Sequence, residues 1–396
     1  MKQIYIYLTA LFLLSAATLK ASGGEGAEYD SLRVSLLTCS PHDEVYSLYG
    51  HTAIRVENKS SGEDFVINYG VFSFDKPFFL LRFVFGLTDY EMGILPYDIF
   101  LREYAYYGSS VTEQEIAFTT EEKLRFMAAA AENYREPNRV YRYNYFYDNC
   151  TTRARDIIVG AVEGMVVYND SVPEGLTFRK MIHSKTENNP WARLGNDLLL
   201  GVGADRQLTL SEMQFLPQEM LVSADSAYIL LDNGEKRRLV SRTTTLLKER
   251  GGERQEKTVE PVWVGGAILL LTMMLSFVEW RKKWYLWWYD TLLFLLCGLC
   301  GIILTAMIFS QHPTVSLNAQ ILLFNPLLLV YGIIAVRKFR KGDVHWFWLL
   351  EILMLCLLLV VFSFEIQWID PSVRLLTLSL LLRSALKIRY RKEMTE

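Results

Sequence analysis

The pattern of apolar and polar positions divides the chain into three parts. Residues 4–19 form one short unbroken apolar run behind Lys2. Residues from about 30 to 258 are mixed, and from Pro261 onward long apolar blocks alternate with short charged connections. In the mixed part, period-two alternation rich in β-branched and aromatic residues predicts strands over 32–37, 51–56 and 65–69, and a denser apolar stretch over 80–85 reads as a further strand. Helical spacing predicts helices over 121–134, behind a Thr119 or Thr120 cap ahead of a Glu pair, and over 176–184, 192–200 and from Ser211 onward. Asn233-Gly234, between 228–232 and 238–240, predicts a last hairpin, and the charged stretch 242–257 reads as a tether. Residues 141–146 alternate aromatic and polar and read as extended, and a helix opens at about Thr151, so Cys150 falls where an extended segment turns into a helix.

Five apolar spans follow, near 261–280, 286–309, 318–336, 345–364 and 372–387, each close to the twenty or so residues a bilayer requires, the last somewhat shorter. The connections after the first and third spans, and the tail, carry Arg281-Lys282-Lys283, Arg337 to Lys341, and Lys387, Arg389, Arg391 and Lys392, whereas 310–316 and 365–372 hold no Lys or Arg. Positive charge gathers on the cytoplasmic side, so the pattern predicts an outside N-terminal domain and a cytoplasmic C-terminus. Trp284, Trp287, Trp288, Trp346 and Trp348 fit an interfacial belt. Asp290 and Arg383 are expected to snorkel to the interface, and Glu351 is the intramembrane ionisable residue that stands out.

The first run, followed by a passable cleavage site before Ser22, reads as a signal peptide over 1–21. No cysteine lies at that site, so the mature chain is not expected to be itself a lipoprotein. The expected division is then 22–258 as an exported domain and 259–396 as a five-span membrane domain. A net charge of −3 leaves no nucleic-acid footprint. Five cysteines are too few for a disulfide scaffold, and Cys297, Cys300 and Cys356 lie in apolar runs. No metal or cofactor is called for.

Two stretches carry chemistry. Free N–H groups at a helix start stabilise a thiolate at Cys150 and, through Cys150 and Thr151, an oxyanion. About a hundred residues earlier, Tyr49-Gly50-His51-Thr52 opens a strand with a histidine. A strand His with a helix-start Cys is the pairing that cysteine hydrolases and acyltransferases use. The alternatives for Cys150 are a buried structural thiol or half of a disulfide with Cys39. Asn68, on the next strand, is the first candidate to orient the imidazole, followed by Tyr49 and Asp148. Arg153 and Arg155 match a lipid phosphate or pair with Asp148 and Asp156. The aromatic segment 71–97, with Phe78, Phe79 and Phe83, reads either as core or as a membrane-facing flap or acyl groove.

His on an early strand followed by Asn-Cys at a helix start resembles the circularly permuted NlpC/P60-like papain fold, shared by lecithin:retinol acyltransferases. Tyr49 to Arg55, Asp148 to Arg153, Asn189-Pro190-Trp191, Leu200 to Arg206 and Phe215-Leu216-Pro217 are more specifically similar to the Lnb N-terminal periplasmic domain. The trailing spans are also as in that group. The resemblance implies an α+β papain-like exported domain followed by an all-α bundle of five transmembrane helices in the inner membrane of a Gram-negative bacterium. It implies a lipoprotein N-acyltransferase with Cys150 as nucleophile and His51 as base. The acyl chain would pass from a phospholipid to the α-amino group of a diacylglyceryl-cysteine lipoprotein. A membrane-anchored cell-wall peptidase or amidase is the alternative, and a non-catalytic membrane assembly factor the second.

Overall fold

The structure is a computed structural model that describes residues 29–42, 47–72, 77–78, 82, 85–250 and 258–395, with side chains as far as Arg389. The segment expected to be a signal peptide lies outside these residues. In chain order the first elements are β1 (Leu32–Cys39), β2 (His51–Asn58), β3 (Glu63–Val71), β4 (Asp89–Pro96), α1 (Tyr97–Tyr107), β5 (Val111–Ile116), α2 (Thr120–Tyr134), β6 (Val140–Arg142) and α3 (Cys150–Ala161). There follow β7 (Met165–Val167), α4 (Phe178–Lys185), α5 (Pro190–Leu199), α6 (Leu210–Met213), α7 (Pro217–Ser226), β8 (Tyr228–Leu230), β9 (Lys236–Arg238) and β10 (Val240–Leu247).

The chain divides into two units, one of 1–174 with 208–254, the other of 175–207 with 255–396. The first is built on a seven-stranded antiparallel sheet in the order β10-β5-β1-β2-β3-β4-β6, with a small sheet β7-β8-β9. Side chains alternate across a strand, so each face has its own core. Leu36, Ile54 and Ile67 bury against Phe126 of α2, Ile158 of α3 and Met220 of α7, while Leu37, Ala53 and Val66 bury against Phe100 of α1. Burial on both faces leaves β1 and β2 enclosed along nearly their whole length.

Three expectations change here. The stretch read as a tether is in part β10, which pairs along β5, because Thr243-Thr244-Thr245-Leu246-Leu247 suits a strand and an edge was open to it. The strand expected over 80–85 lies largely outside the described residues, and Arg82 sits in a turn with its N–H on the Phe78 carbonyl. The extended run 141–146 is a strand only at β6 and then turns back through a bridge between Asn144 and Asp148.

The second unit holds α8 (Pro261–Lys282), α9 (Trp287–Met307), α10 (Ile333–Arg340), α11 (Phe347–Ser363) and α12 (Pro371–Thr395). Helices α8 and α9 are long and apolar enough to cross a membrane, and α11 is a shorter apolar helix. The third expected span is not one helix: a 3₁₀ turn at Ala319–Leu322 and a π turn at Leu328–Gly332 flank Asn325-Pro326 before α10 begins. The last is longer than expected. Trp263, Leu270 and Phe277 of α8 and Leu296 and Leu299 of α9 are exposed, as lipid-facing side chains would be.

Asp290 and Arg383 do not snorkel. Both are buried, with Arg383 Nε donating to Asp290 at 2.5 Å and Nη2 to Glu279 at 2.7 Å, while Lys387 Nζ donates to Glu279 at 2.9 Å. Two cations and two anions neutralise each other, which is how buried charge persists in an apolar bundle. Glu351 is fully buried, and neither of its oxygens has a hydrogen-bond partner among the described residues.

Helices α4 and α5 belong to this unit. Arg179 of α4, 1% exposed, donates to Asp197 at 2.8 Å and to both oxygens of Asp205 at 2.8 and 2.9 Å. Gln320 donates to the Asp197 carbonyl at 2.7 Å and Asn318 to that of Leu198 at 2.8 Å, which fastens α5 to the irregular third segment of the bundle.

Candidate active site

The site is set by how α3 begins. Asn149 is its N-cap, and its side-chain oxygen accepts from the N–H groups of Thr151 and Thr152, both at 2.9 Å. Its amide nitrogen donates to the carbonyls of Tyr145 at 2.8 Å and Phe215 at 3.0 Å, and its own N–H reaches the Thr152 hydroxyl at 2.9 Å. Every polar group of Asn149's side chain is therefore used, and the cap fixes Cys150 as the first helical residue. A buried bond of 3.0 Å between the hydroxyls of Thr52 and Thr151 ties that turn to β2.

His51 opens β2 behind Gly50, whose φ of +76° suits glycine alone; a Cβ there would come 2.6 Å from the Cys39 carbonyl oxygen. His51 Nε2 lies 2.6 Å from Asn68 Oδ1. An amide oxygen only accepts, so Nε2 carries the proton and Nδ1 is left for the thiol. The β3–β4 register slips between Asn68 and Val71, a bulge that places Gly70 at φ +90°, with a Cβ position 3.8 Å from Cys150 Cβ.

His51 and Cys150 lie close enough that each shifts the proton affinity of the other. Burial pushes the Cys150 thiol up, but the charge of His51, the bond between the two, the Thr52 backbone and the Thr151 hydroxyl outweigh it and bring the thiol down to about 7. Burial lowers His51, and the Cys150 charge, the bonds to Cys150 and Asn68, and Glu103 outweigh that and raise it. Each partner favours the charged form of the other, a thiolate–imidazolium pair. Cys39 is different. It lies at the end of β1 opposite His51, buried, and burial holds its thiol well above the ordinary range.

This fixes a pH dependence. Only the thiolate alkylates, so Cys150 should react with iodoacetamide with a midpoint near pH 7. In His51→Ala the lowering charge is gone while burial remains, so the midpoint should rise past about 8.5, the ordinary thiol value. An unchanged midpoint in that variant would remove the ion pair.

The other candidates fall as follows. Tyr49 packs edge-on against Tyr145 at 5.3 Å. Asp148 is engaged by Arg153 through Nε at 2.5 Å and Nη2 at 2.8 Å, and Asn68 meets the imidazole. Arg155 bonds Asp156 and the Ser211 carbonyl. The Thr151 N–H, expected to serve an oxyanion, is committed to the Asn149 cap. Phe78 is 77% exposed at φ +59°, while Phe79 and Phe83 lie outside the described residues. Thr52 carries no local signal that marks it for the site, because its bond to Thr151 depends on how β2 meets α3.

A thiolate, an imidazole and an amide at one end of an antiparallel sheet, in a chain that continues into an apolar helical bundle, define a membrane-anchored protein with a thiol site on its N-terminal domain. Comparison with protein families matches residues 24–182 to the Lnb N-terminal periplasmic domain and residues 253–394 to the Lnb transmembrane domain. The two lie in the expected order and together span most of the chain, which belongs to the Lnb-type lipoprotein N-acyltransferase family. The N-terminal domain is therefore periplasmic and the C-terminal one membrane-embedded. Searches of curated proteins and of solved structures return no match.

Proposed function

We propose that the protein moves an acyl chain from a phospholipid, through a thioester on Cys150, to the α-amino group of a diacylglyceryl-cysteine lipoprotein. The observation that carries this is the Cys150–His51–Asn68 chain at the start of α3, within a member of this family. The Cys, His and Asn trio is that of papain-like enzymes, and a permuted papain-like fold is the architecture proposed for the N-terminal domain. The thiolate attacks an ester carbonyl, and the lysophospholipid oxygen leaves with the proton of His51. The lipoprotein amine then attacks the thioester, gives its proton to His51, and the thiolate is released. Amines compete well with water for a thioester, which suits transfer over hydrolysis.

The C-terminal domain is proposed to make five crossings of the inner membrane with its basic connections in the cytoplasm. Both substrates keep their chains in the bilayer, so an exposed apolar side chain on the periplasmic domain has a use at the membrane surface. Phe78→Asp should cut acylation of a lipopeptide in vesicles by about tenfold or more, with the melting temperature unchanged, because Phe78 is solvated and Asp tolerates positive φ better. Equal loss of activity and stability would instead make the segment structural.

The function is tested with full-length protein in vesicles holding acyl-labelled phospholipid and a diacylglyceryl lipopeptide. The expected product is the N-acylated lipopeptide together with lysophospholipid. Cleavage of muropeptide stems without acyl transfer would establish the peptidase alternative.

A further inference from the structure

Acyl transfer through a thioester passes twice through a tetrahedral intermediate whose former carbonyl oxygen carries negative charge, and donors aimed at that oxygen supply much of the rate. The start of α3 offers less for this than a helix N-terminus usually does. Asn149 takes the Thr151 and Thr152 N–H groups, and its own N–H goes to Thr152. The Cys150 N–H is the one first-turn donor with no partner among the described residues. One preorganised donor is few for a buried oxyanion.

A second donor lies next to Cys150 across Gly70. Tyr141, on β6, is buried, and its hydroxyl is enclosed with no hydrogen-bond partner among the described residues. A buried hydroxyl without a partner carries an uncompensated desolvation cost, so its persistence at a functional site asks for a reason. The hydroxyl lies 4.0 Å from the point where Gly70 would carry a Cβ, and Cys150 Cβ lies 3.8 Å from that same point. Gly70 thus leaves a gap bordered on one side by the thiol-bearing residue and on another by the hydroxyl. The ring is held in place: the Arg153 guanidinium, fixed by two bonds to Asp148, stacks 3.5 Å from its centroid, and Tyr69 meets it edge-on at 6.4 Å.

We infer that the Tyr141 hydroxyl, together with the Cys150 N–H, donates to the oxyanion formed when the Cys150 thiolate adds to an acyl carbonyl, with Gly70 leaving room for the acyl group and Arg153 acting as a positioning residue for the ring. This rests on the acyl-transfer reading above and adds a catalytic residue to it. In the step, sulfur bonds to the carbonyl carbon and the π pair moves to oxygen, where Tyr141 donates a hydrogen bond without giving up its proton. The pair then returns to carbon as the leaving oxygen departs with the His51 proton. Burial, and next the nearby Cys150 charge, push the Tyr141 hydroxyl well up, so it stays protonated and a donor at any working pH.

The test uses full-length Tyr141→Phe and two reactions of the same thiol. A p-nitrophenyl ester acylates Cys150 through an oxyanion, whereas iodoacetamide alkylates it by displacement at carbon with none. Tyr141→Phe should slow single-turnover acylation by about 10²–10³-fold, the usual loss for one oxyanion donor, while the alkylation rate and its pH midpoint stay as in the unsubstituted protein. Acylation within about threefold of the unsubstituted protein would overturn the assignment. So would parallel loss of both reactions, which marks a purely structural tyrosine. The aryl ester tests Tyr141 whatever the natural donor: failure with phospholipid alone sinks the substrate reading, and failure of the unsubstituted thiol with the aryl ester sinks both.

Discussion

Replacing Cys150 by Ser, or His51 by Ala, is expected to lower acyl transfer by about 10⁴-fold or more, as removal of a nucleophile or its base does elsewhere. Serine keeps the size of the side chain, but its hydroxyl cannot become the anion that the site is built to hold at neutral pH. The fold should survive both changes. Cys150 is held by the Asn149 cap and by the Thr52–Thr151 bond, neither of which uses its sulfur. His51 lies at the first position of β2, and that strand's remaining pairs with β1 and β3 do not depend on the imidazole. The check is turnover in vesicles alongside a melting curve. Turnover close to that of the unsubstituted protein in either variant would remove the mechanism, and loss of both activity and folding would return Cys150 or His51 to a structural role.

Arg179→Met is expected to cost about 3–5 kcal/mol, the range for removing one partner of a buried ion pair. Methionine fills part of the space but leaves the carboxylates of Asp197 and Asp205 without their shared cation, and takes one donor each, at 3.0 and 3.3 Å, from the carbonyls of Leu200 and Gly201. The loss falls on α4 and α5, whose attachment to the bundle runs through the neighbouring Gln320 and Asn318 bonds. Denaturation of the full-length protein in detergent measures it. The Cys150 alkylation midpoint should stay near 7, because none of the groups bonded to Arg179 belongs to the thiol site. A cost below about 1 kcal/mol would mean that the buried charges are already compensated from elsewhere.

What could be read from the sequence follows how local each signal is. Cys150 at a helix start and His51 at a strand start are visible because an Asn cap, a turn glycine and β-branched alternation each act within a few residues. Asn68 follows from one step of topology, since consecutive strands usually pair and alternation puts it on the His51 face. The Gly70 bulge and the Tyr141 hydroxyl are not visible, because both depend on how β3, β4 and β6 register against one another. The same holds for β10, whose partner lies more than a hundred residues earlier. In the bundle, spacing finds the apolar spans but not the pairing of Glu279, Asp290, Arg383 and Lys387, which turns apparent interfacial residues into buried ones. Nor does composition show that α4 and α5 keep company with the helices after Pro261 rather than with the sheet.

The most direct measurement is the mass of the Cys150 peptide after the full-length protein has been incubated with phospholipid vesicles and no acceptor. The account predicts a gain of one acyl chain on Cys150, sensitive to hydroxylamine as a thioester is, matched by lysophospholipid, missing in His51→Ala, and discharged when a diacylglyceryl lipopeptide is added. An unmodified Cys150 with no lysophospholipid, or an acyl chain carried by Cys39 instead, would contradict it.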